Sequence, residues 1–394
     1  MKKTFCMHND DVCIRLRLFG EEIRALLIEN EWIECKQDSA EFLFINTCAF
    51  LRKAEDKAIS KIKNLNLAKP NSQNIIVFGC LPRINPERLK LAHDGEIIMV
   101  RDISEFMAKF GFKKKPCAIG HVVEDRKEFL PKIYRTLNRL LLHDPYLTYL
   151  YDKEKVYHLK ISQGCLGNCS YCSEKFARGK LSSKPIHEII TEFEKGLSKG
   201  YRIFSLSSDD TGVFGWDRGE NISQLLEKLL SYNEEFKIVL TEFNPHGLLK
   251  HEKELLPLLK SSKLIFITIP IQSGSDRILR LMNRSYQVSH VELALDQIRS
   301  VNPSIKINTH IIAGFPGETQ SDYQKTYDML DSFSFNKAKV FGYSDQPGTE
   351  SSKLPGKLSI GIIDQRVKEL KRLMLVKRLL DLDFVGILLN LDTM

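Results

Sequence analysis

Cys165-Leu166-Gly167-Asn168-Cys169-Ser170-Tyr171-Cys172 puts three thiols on one short loop. Thiolates are the ligands of iron–sulfur clusters, and a [4Fe–4S] cube normally takes four. Three local cysteines with no fourth nearby leave one iron open to a small chelating ligand, such as the head of an α-amino acid. Zinc fits the pattern less well. It needs a fourth ligand at comparable spacing, and the nearest histidine, His158, lies on the preceding strand.

The chain has nine cysteines in 394 residues, and the others are Cys6, Cys13, Cys35, Cys48, Cys80 and Cys117. An odd count with one tight cluster argues against a disulfide framework and for metal ligation. The N-terminus lacks the apolar core of a signal peptide, and no run of about 18 apolar residues exists. A cytoplasmic protein with reduced thiols and no membrane partner is therefore expected. With 43% hydrophobic residues the chain is a globular protein, neither disordered nor a disulfide miniprotein. Its net charge of +8 is compatible with RNA, but much of it lies on helix faces, where solvated charge is the usual explanation.

The elements that must position the cysteines read as α/β. In residues 1–112, apolar runs at 41–46, 74–79 and 96–100 alternate with amphipathic helices near 10–30, 52–65 and 85–93. This predicts an open parallel α/β sheet. Cys48 and Cys80 fall just past strand ends, where ligands gather in such sheets. Residues 113–155 read as a connector, with a helix through Ile133, Leu137 and Leu141 packed on the body and with Tyr146, Tyr149 and Tyr151 after it. In 156–345, strands at 156–161, 202–207, 236–242, 264–270, 305–312 and 337–343 make about six βα units, which fits a partial (β/α)6 barrel. A helical tail, 346–394, contains a basic amphipathic helix over 359–382 and a short apolar end at 385–391.

The cysteine spacing, Tyr171 and the partial barrel together resemble the radical S-adenosylmethionine (SAM) superfamily. Downstream, Ala177-Arg178-Gly179-Lys180, Ser208-Asp209-Asp210-Thr211-Gly212, Pro270-Ile271-Gln272-Ser273-Gly274, Gly314-Phe315-Pro316-Gly317-Glu318-Thr319 and Pro347-Gly348-Thr349 resemble the methylthiotransferase family. They are most similar to the branch acting on threonylcarbamoyl-adenosine in tRNA. The resemblance implies that Cys165, Cys169 and Cys172 hold a [4Fe–4S] cluster whose open iron chelates SAM. Reductive cleavage then yields a 5′-deoxyadenosyl radical, and this chemistry belongs to the cofactor. The resemblance also makes Tyr171, Asp210, Thr211, Gln272, Ser273 and Gly314 SAM-pocket residues, with Arg178 as a contact to the SAM carboxylate.

The same resemblance implies a second [4Fe–4S] cluster on the N-terminal domain. Asn46-Thr47-Cys48-Ala49 and Gly79-Cys80-Leu81 match two of its motifs. For the third ligand we expect Cys6, in Cys6-Met7-His8-Asn9, with Cys13 as the alternative. Cys13 gives a more typical gap to Cys48 but falls within a helical pattern. Cys35 and Cys117 are expected to be ordinary thiols. Two SAM are consumed per turnover: one methylates a sulfur on the second cluster, and the other generates the radical. A reductant such as a flavodoxin or ferredoxin and a source of sulfide are implied as partners.

Two departures from the family pattern bear on the substrate. His310 stands where the family usually has aspartate, and the chain ends near where the RNA-binding TRAM barrel of tRNA-modifying members would begin. These departures lead us to expect a peptide or protein side chain as substrate. The alternatives are the adenosine beside the anticodon of tRNA, or another two-cluster radical SAM reaction.

Overall fold

A computed structural model of the protein describes residues 2–9, 11–68, 73–99, 102–114, 136 and 144–380. The connector helix, Cys117 and the apolar end at 385–391 lie outside these residues. The described chain divides into two compact units. The first takes the chain as far as residue 114 together with Cys172–Lys180 and Gln346–Gly348. The second takes the rest.

The first unit is built on strands β1 (Thr4–His8), β2 (Ile33–Glu34), β3 (Phe42–Thr47), β4 (Asn74–Gly79) and β5 (Glu96–Ile97). Their order is β2-β1-β3-β4-β5, and every pairing is parallel. Alternate residues serve opposite faces. Leu43, Ile45, Ile75 and Val77 pack with Ile59 and Ile62 of the helix Arg52–Ala68. Phe5, Phe44, Ile76 and Phe78 pack with Phe19, Ile23 and Leu26 of the helix Ile14–Glu29, and with Phe106. Both faces are covered, which is why these strands read as continuous apolar runs.

A buried amide network locks the carboxyl ends of β1 and β3 to the first helix. Asn46 Nδ2 donates to Asn9 Oδ1 at 2.7 Å and to the Leu16 carbonyl at 2.7 Å, and Asn9 Nδ2 donates to the Arg17 carbonyl at 2.8 Å. β3 and β4 end equally tightly. The backbone N–H of Cys80 donates to the Thr47 carbonyl at 2.8 Å. Gly79 sits at φ +100°, and a Cβ there would stand 2.5 Å from the Thr47 carbonyl oxygen, so only glycine lets the two loops pass.

The second unit carries β6 (Val156–Lys160), a short antiparallel pair β7 (Ser162–Gln163) and β8 (Ser182–Ser183), then β9 (Ile203–Ser207), β10 (Lys237–Leu240), β11 (Leu264–Thr268), β12 (Lys306–Ala313) and β13 (Lys337–Gly342). The main sheet runs β13-β12-β11-β10-β9-β6, all parallel, as a partial six-stranded barrel. Tyr157, Leu159, Phe204, Leu206, Ile238 and Leu240 face the outer helices. The alternate set Val156, Ile203, Val239 and Phe266 packs with Tyr146 and Leu147 of the helix Pro145–Tyr151. Tyr146 and Tyr149 thus plug the concave face near the strand starts. At the far edge, Leu370, Leu373 and Met374 of the helix Ile360–Leu380 join the outer core.

Replacing Asn46, which is 5% exposed, by alanine strips two hydrogen bonds from a buried site. We expect a loss of about 2 kcal/mol, read as a lower denaturant midpoint for the first unit. An unchanged midpoint would mean that the network does not hold the strand ends together.

Candidate active site

Every candidate ligand lies at or beyond the carboxyl end of a parallel strand except one. β1 continues to His8, so Cys6 sits in mid-strand and not at its end. Its neighbour is Cys35, whose backbone N–H donates to the Phe5 carbonyl at 2.9 Å, and the Cys6 thiol is raised by burial and then by Glu34 and Cys35. The thiol that joins the strand-end cysteines is Cys13, the residue preceding the helix Ile14–Glu29. Cys13 acts on Cys48, and both act on Cys80. Cys6, the expected third ligand, thus lies within the strand, and Cys13, the alternative, lies past the sheet edge: the chain runs on to His8 and turns back before the helix begins.

Burial dominates this group. Cys80 is 3% exposed, and burial pushes its thiol far up; Cys48 is pushed up to about 11, again mainly by burial. Among the described residues, no three of His, Cys, Asp or Glu converge on a point where one metal ion would sit.

The second unit holds Cys165 and Cys169 on the loop after β6 and β7. Backbone bonds stitch this loop down: Gly164 N–H to Asp209 Oδ2 at 2.8 Å, and Ser170 N–H to the Met282 carbonyl at 3.0 Å. Cys165 Sγ lies 3.4 Å from Asp210 Oδ2 and accepts from the Gly167 N–H at 3.1 Å. Cys169 Sγ accepts from Arg284 Nη1 at 3.6 Å, and Arg284 Nη2 donates to the Pro270 carbonyl at 3.0 Å. Cys172, which ends the motif, opens the segment Cys172–Lys180 that groups with the first unit.

The other candidates are distributed unevenly. Asp210 is buried beside Cys165 and held by Asn244 Nδ2 at 3.1 Å; burial raises its carboxyl. Thr211 is fully buried, and its hydroxyl donates to the Thr241 carbonyl. Gln272 has φ +75° and ties β11 to β12, donating its N–H to the His310 carbonyl at 2.8 Å. Ser273 is fully buried against Thr326 at 3.3 Å. Gly314 has φ +78°, donates its N–H to Glu318 Oε2 at 2.8 Å, and has no room for a Cβ beside Ile363. Tyr171 stacks edge-on against Phe315 at 6.4 Å. Thus Thr211, Ser273 and Gly314 shape the strand-end loops with the very groups that were read as SAM contacts. Arg178 lies 3.9 Å from Cys13, not at the Cys165–Cys169 loop. Arg284 escaped the sequence reading. Its only signal was a charge set among the apolar Leu281, Met282 and Tyr286.

Residues 159–330 match the Radical SAM superfamily, and residues 20–100 match the uncharacterized protein family UPF0004. A probable threonylcarbamoyladenosine tRNA methylthiotransferase of Pyrococcus abyssi is 32% identical over 368 residues, covering 92% of this chain and 82% of that one. The chain belongs to the radical SAM methylthiotransferase family. The human threonylcarbamoyladenosine tRNA methylthiotransferase is 30% identical over 346 residues, covering 84% of this chain and 56% of that protein. In fold, this methylthiotransferase is similar to the cobalamin- and [4Fe–4S]-bound radical SAM methyltransferase TsrM from Kitasatospora setae. The TM-score is 0.61 at 12% identity, over 89% of this chain and 74% of that one. The family makes SAM and a [4Fe–4S] cluster its cofactors. The peptide or protein substrate expected from the sequence finds no support, because these relatives are named for tRNA. Among the described residues, no helix is long and apolar enough to cross a membrane.

With its thiol raised to about 11, Cys48 of the metal-free enzyme is almost entirely protonated at pH 8. We expect it to react with iodoacetamide roughly 100-fold more slowly than an unperturbed cysteine at that pH, with the gap closing as pH rises. Peptide mapping of alkylated protein measures this; labelling at the free-cysteine rate would refute the buried setting.

Proposed function

We propose that this methylthiotransferase inserts a methylthio group into threonylcarbamoyladenosine in tRNA. The observation that carries the reading is the match to enzymes named for that reaction over 92% of the chain, spanning both units. Cys165, Cys169 and Cys172 are read as the ligands of the SAM-binding cluster, and Cys13, Cys48 and Cys80 as those of a second cluster. The two bound clusters, with SAM, supply a hydrogen-abstracting radical at one and a methylated sulfur at the other.

The chain's own residues position and shield. The helix Pro145–Tyr151 fills the concave face near the strand starts, where Tyr146 is 4% exposed, and so excludes water from that end. Further along the same strand alternation, Asn308 and Ser205 are engaged by Tyr146 and Tyr149 of that helix, and His310 follows beyond them. His310 replaces the family aspartate, yet a carboxylate still stands beside it. His310 Nδ1 lies 3.7 Å from Glu242 Oε2, and its ring meets Phe341 edge-on at 5.7 Å. Asp210 and Arg284 place opposite charges against Cys165 and Cys169, polarising that loop in a buried setting. A low-potential reductant, such as a flavodoxin or ferredoxin, and a sulfide source complete the turnover.

Anaerobic turnover with bulk tRNA from cells lacking this enzyme tests the reading. Mass spectrometry of nucleosides should show threonylcarbamoyladenosine gaining a methylthio group. Cys48→Ala should still form 5′-deoxyadenosine while losing methylthiolation. Modification of peptides alone would overturn the tRNA reading, and methylthiolation surviving in Cys48→Ala would remove the sulfur-donor role of that site.

A further inference from the structure

Arg178 ends the helix Glu174–Arg178, just past the Cys165–Cys172 motif, and its sequence position invites a role at SAM. The structure places it elsewhere. Cys172–Lys180 groups with the first unit, and Ala177, beside Arg178, packs into the core that contains Leu81 and Ile84 of the helix following Cys80. Arg178 is 8% exposed, and its Nη2 lies 3.9 Å from Cys13 Sγ. Glu174, at the other end of the same short helix, is paired to Arg15 at 3.3 Å. A buried guanidinium beside the Cys13 thiol, with the acid of its own helix engaged by another arginine, makes this corner receptive to negative charge.

We propose that Arg178 is a positioning residue of the sulfur-donor centre: it donates to the sulfur of Cys13 and supplies the counter-charge for an anionic sulfur ligand of the sulfide class bound there. This rests on the reading that Cys13, Cys48 and Cys80 hold the second cluster. Three thiolates and a bound sulfide concentrate negative charge in a site shielded from water. A guanidinium is the one side chain here that remains charged when buried and directs several N–H groups at once. Charge-assisted hydrogen bonds to a cluster's sulfurs raise its reduction potential and stabilise added anionic ligands.

The test uses the anaerobically reconstituted holoenzyme, with inorganic sulfide as probe, in wild type, Arg178→Lys and Arg178→Gln. Sulfide binding is followed by the perturbation of the second cluster's electron paramagnetic resonance signal, and SAM binding is measured separately by calorimetry. Arg178→Gln should weaken sulfide binding about tenfold, move the second cluster's potential downward and leave SAM affinity within about twofold. Arg178→Lys should restore part of the sulfide affinity. Weakened SAM binding with sulfide binding unchanged would overturn the proposal and return Arg178 to the SAM pocket. If Arg178→Gln loses the second cluster, Arg178→Lys decides: retention of cluster and sulfide binding supports the counter-charge, and loss in both variants overturns it. Iron content separates the two readings. A wild type holding only about four irons per chain sinks the second cluster itself, whereas two full clusters with unaltered sulfide binding in Arg178→Gln sink only the role of Arg178.

Discussion

A parallel strand delivers the residues just beyond its last carbonyl to one edge of its sheet, and neighbouring parallel strands deliver theirs to the same edge. Chemistry-bearing side chains far apart in sequence can meet there without any dedicated loop architecture. Both sheets of this methylthiotransferase use that polarity. In the first unit, the turn after β1, the end of β3 and the end of β4 bring Cys13, Cys48 and Cys80 into one another's field. In the second, the loop after β6 meets Asp210 beyond β9 and Arg284 beyond β11. What keeps the edges in place is backbone proximity. The Cys80 N–H bonds to the Thr47 carbonyl, Gly79 leaves no room for a side chain, and Asn46 clasps Asn9 and Leu16.

Strand periodicity made the architecture legible. The six barrel strands and the strands ending at Cys48 and Cys80 stand where apolar runs placed them, within a residue or two at most ends, because all but the edge strand β13 are largely buried on both faces. β2 was invisible, being two exposed residues on a sheet edge. The place of Cys6 within the strand has a related cause. The expected end of β1 was set by the cysteine, whereas Met7 packs on and the strand pairs with β3 as far as His8. A helical pattern through Val12 and Leu16 seemed to argue against Cys13, yet a residue at a helix start is well placed to present a ligand. Arg178 was expected at SAM from its nearness to the cluster motif along the chain, whereas its short helix packs in the first unit's core, beside Cys13. Arg284 had no local motif to mark it.

The barrel's concave face is covered near the strand starts: Val156, Ile203, Val239 and Phe266 pack with the helix Pro145–Tyr151, and Tyr146 and Tyr149 of that helix reach on to Asn308 and Ser205. Past them, His310 Nδ1 lies 3.7 Å from Glu242 Oε2.

We read Cys13, Cys48 and Cys80 as the thiols that hold a second cluster, and iron analysis tests that directly. With Cys165, Cys169 and Cys172 all changed to alanine, the anaerobically reconstituted protein should retain about four irons and four sulfides per chain. Adding Cys13→Ser should reduce that content to near zero, and adding Cys6→Ser should leave it intact. Retention of the cluster in the Cys13→Ser protein, with loss in the Cys6→Ser protein, would contradict the assignment.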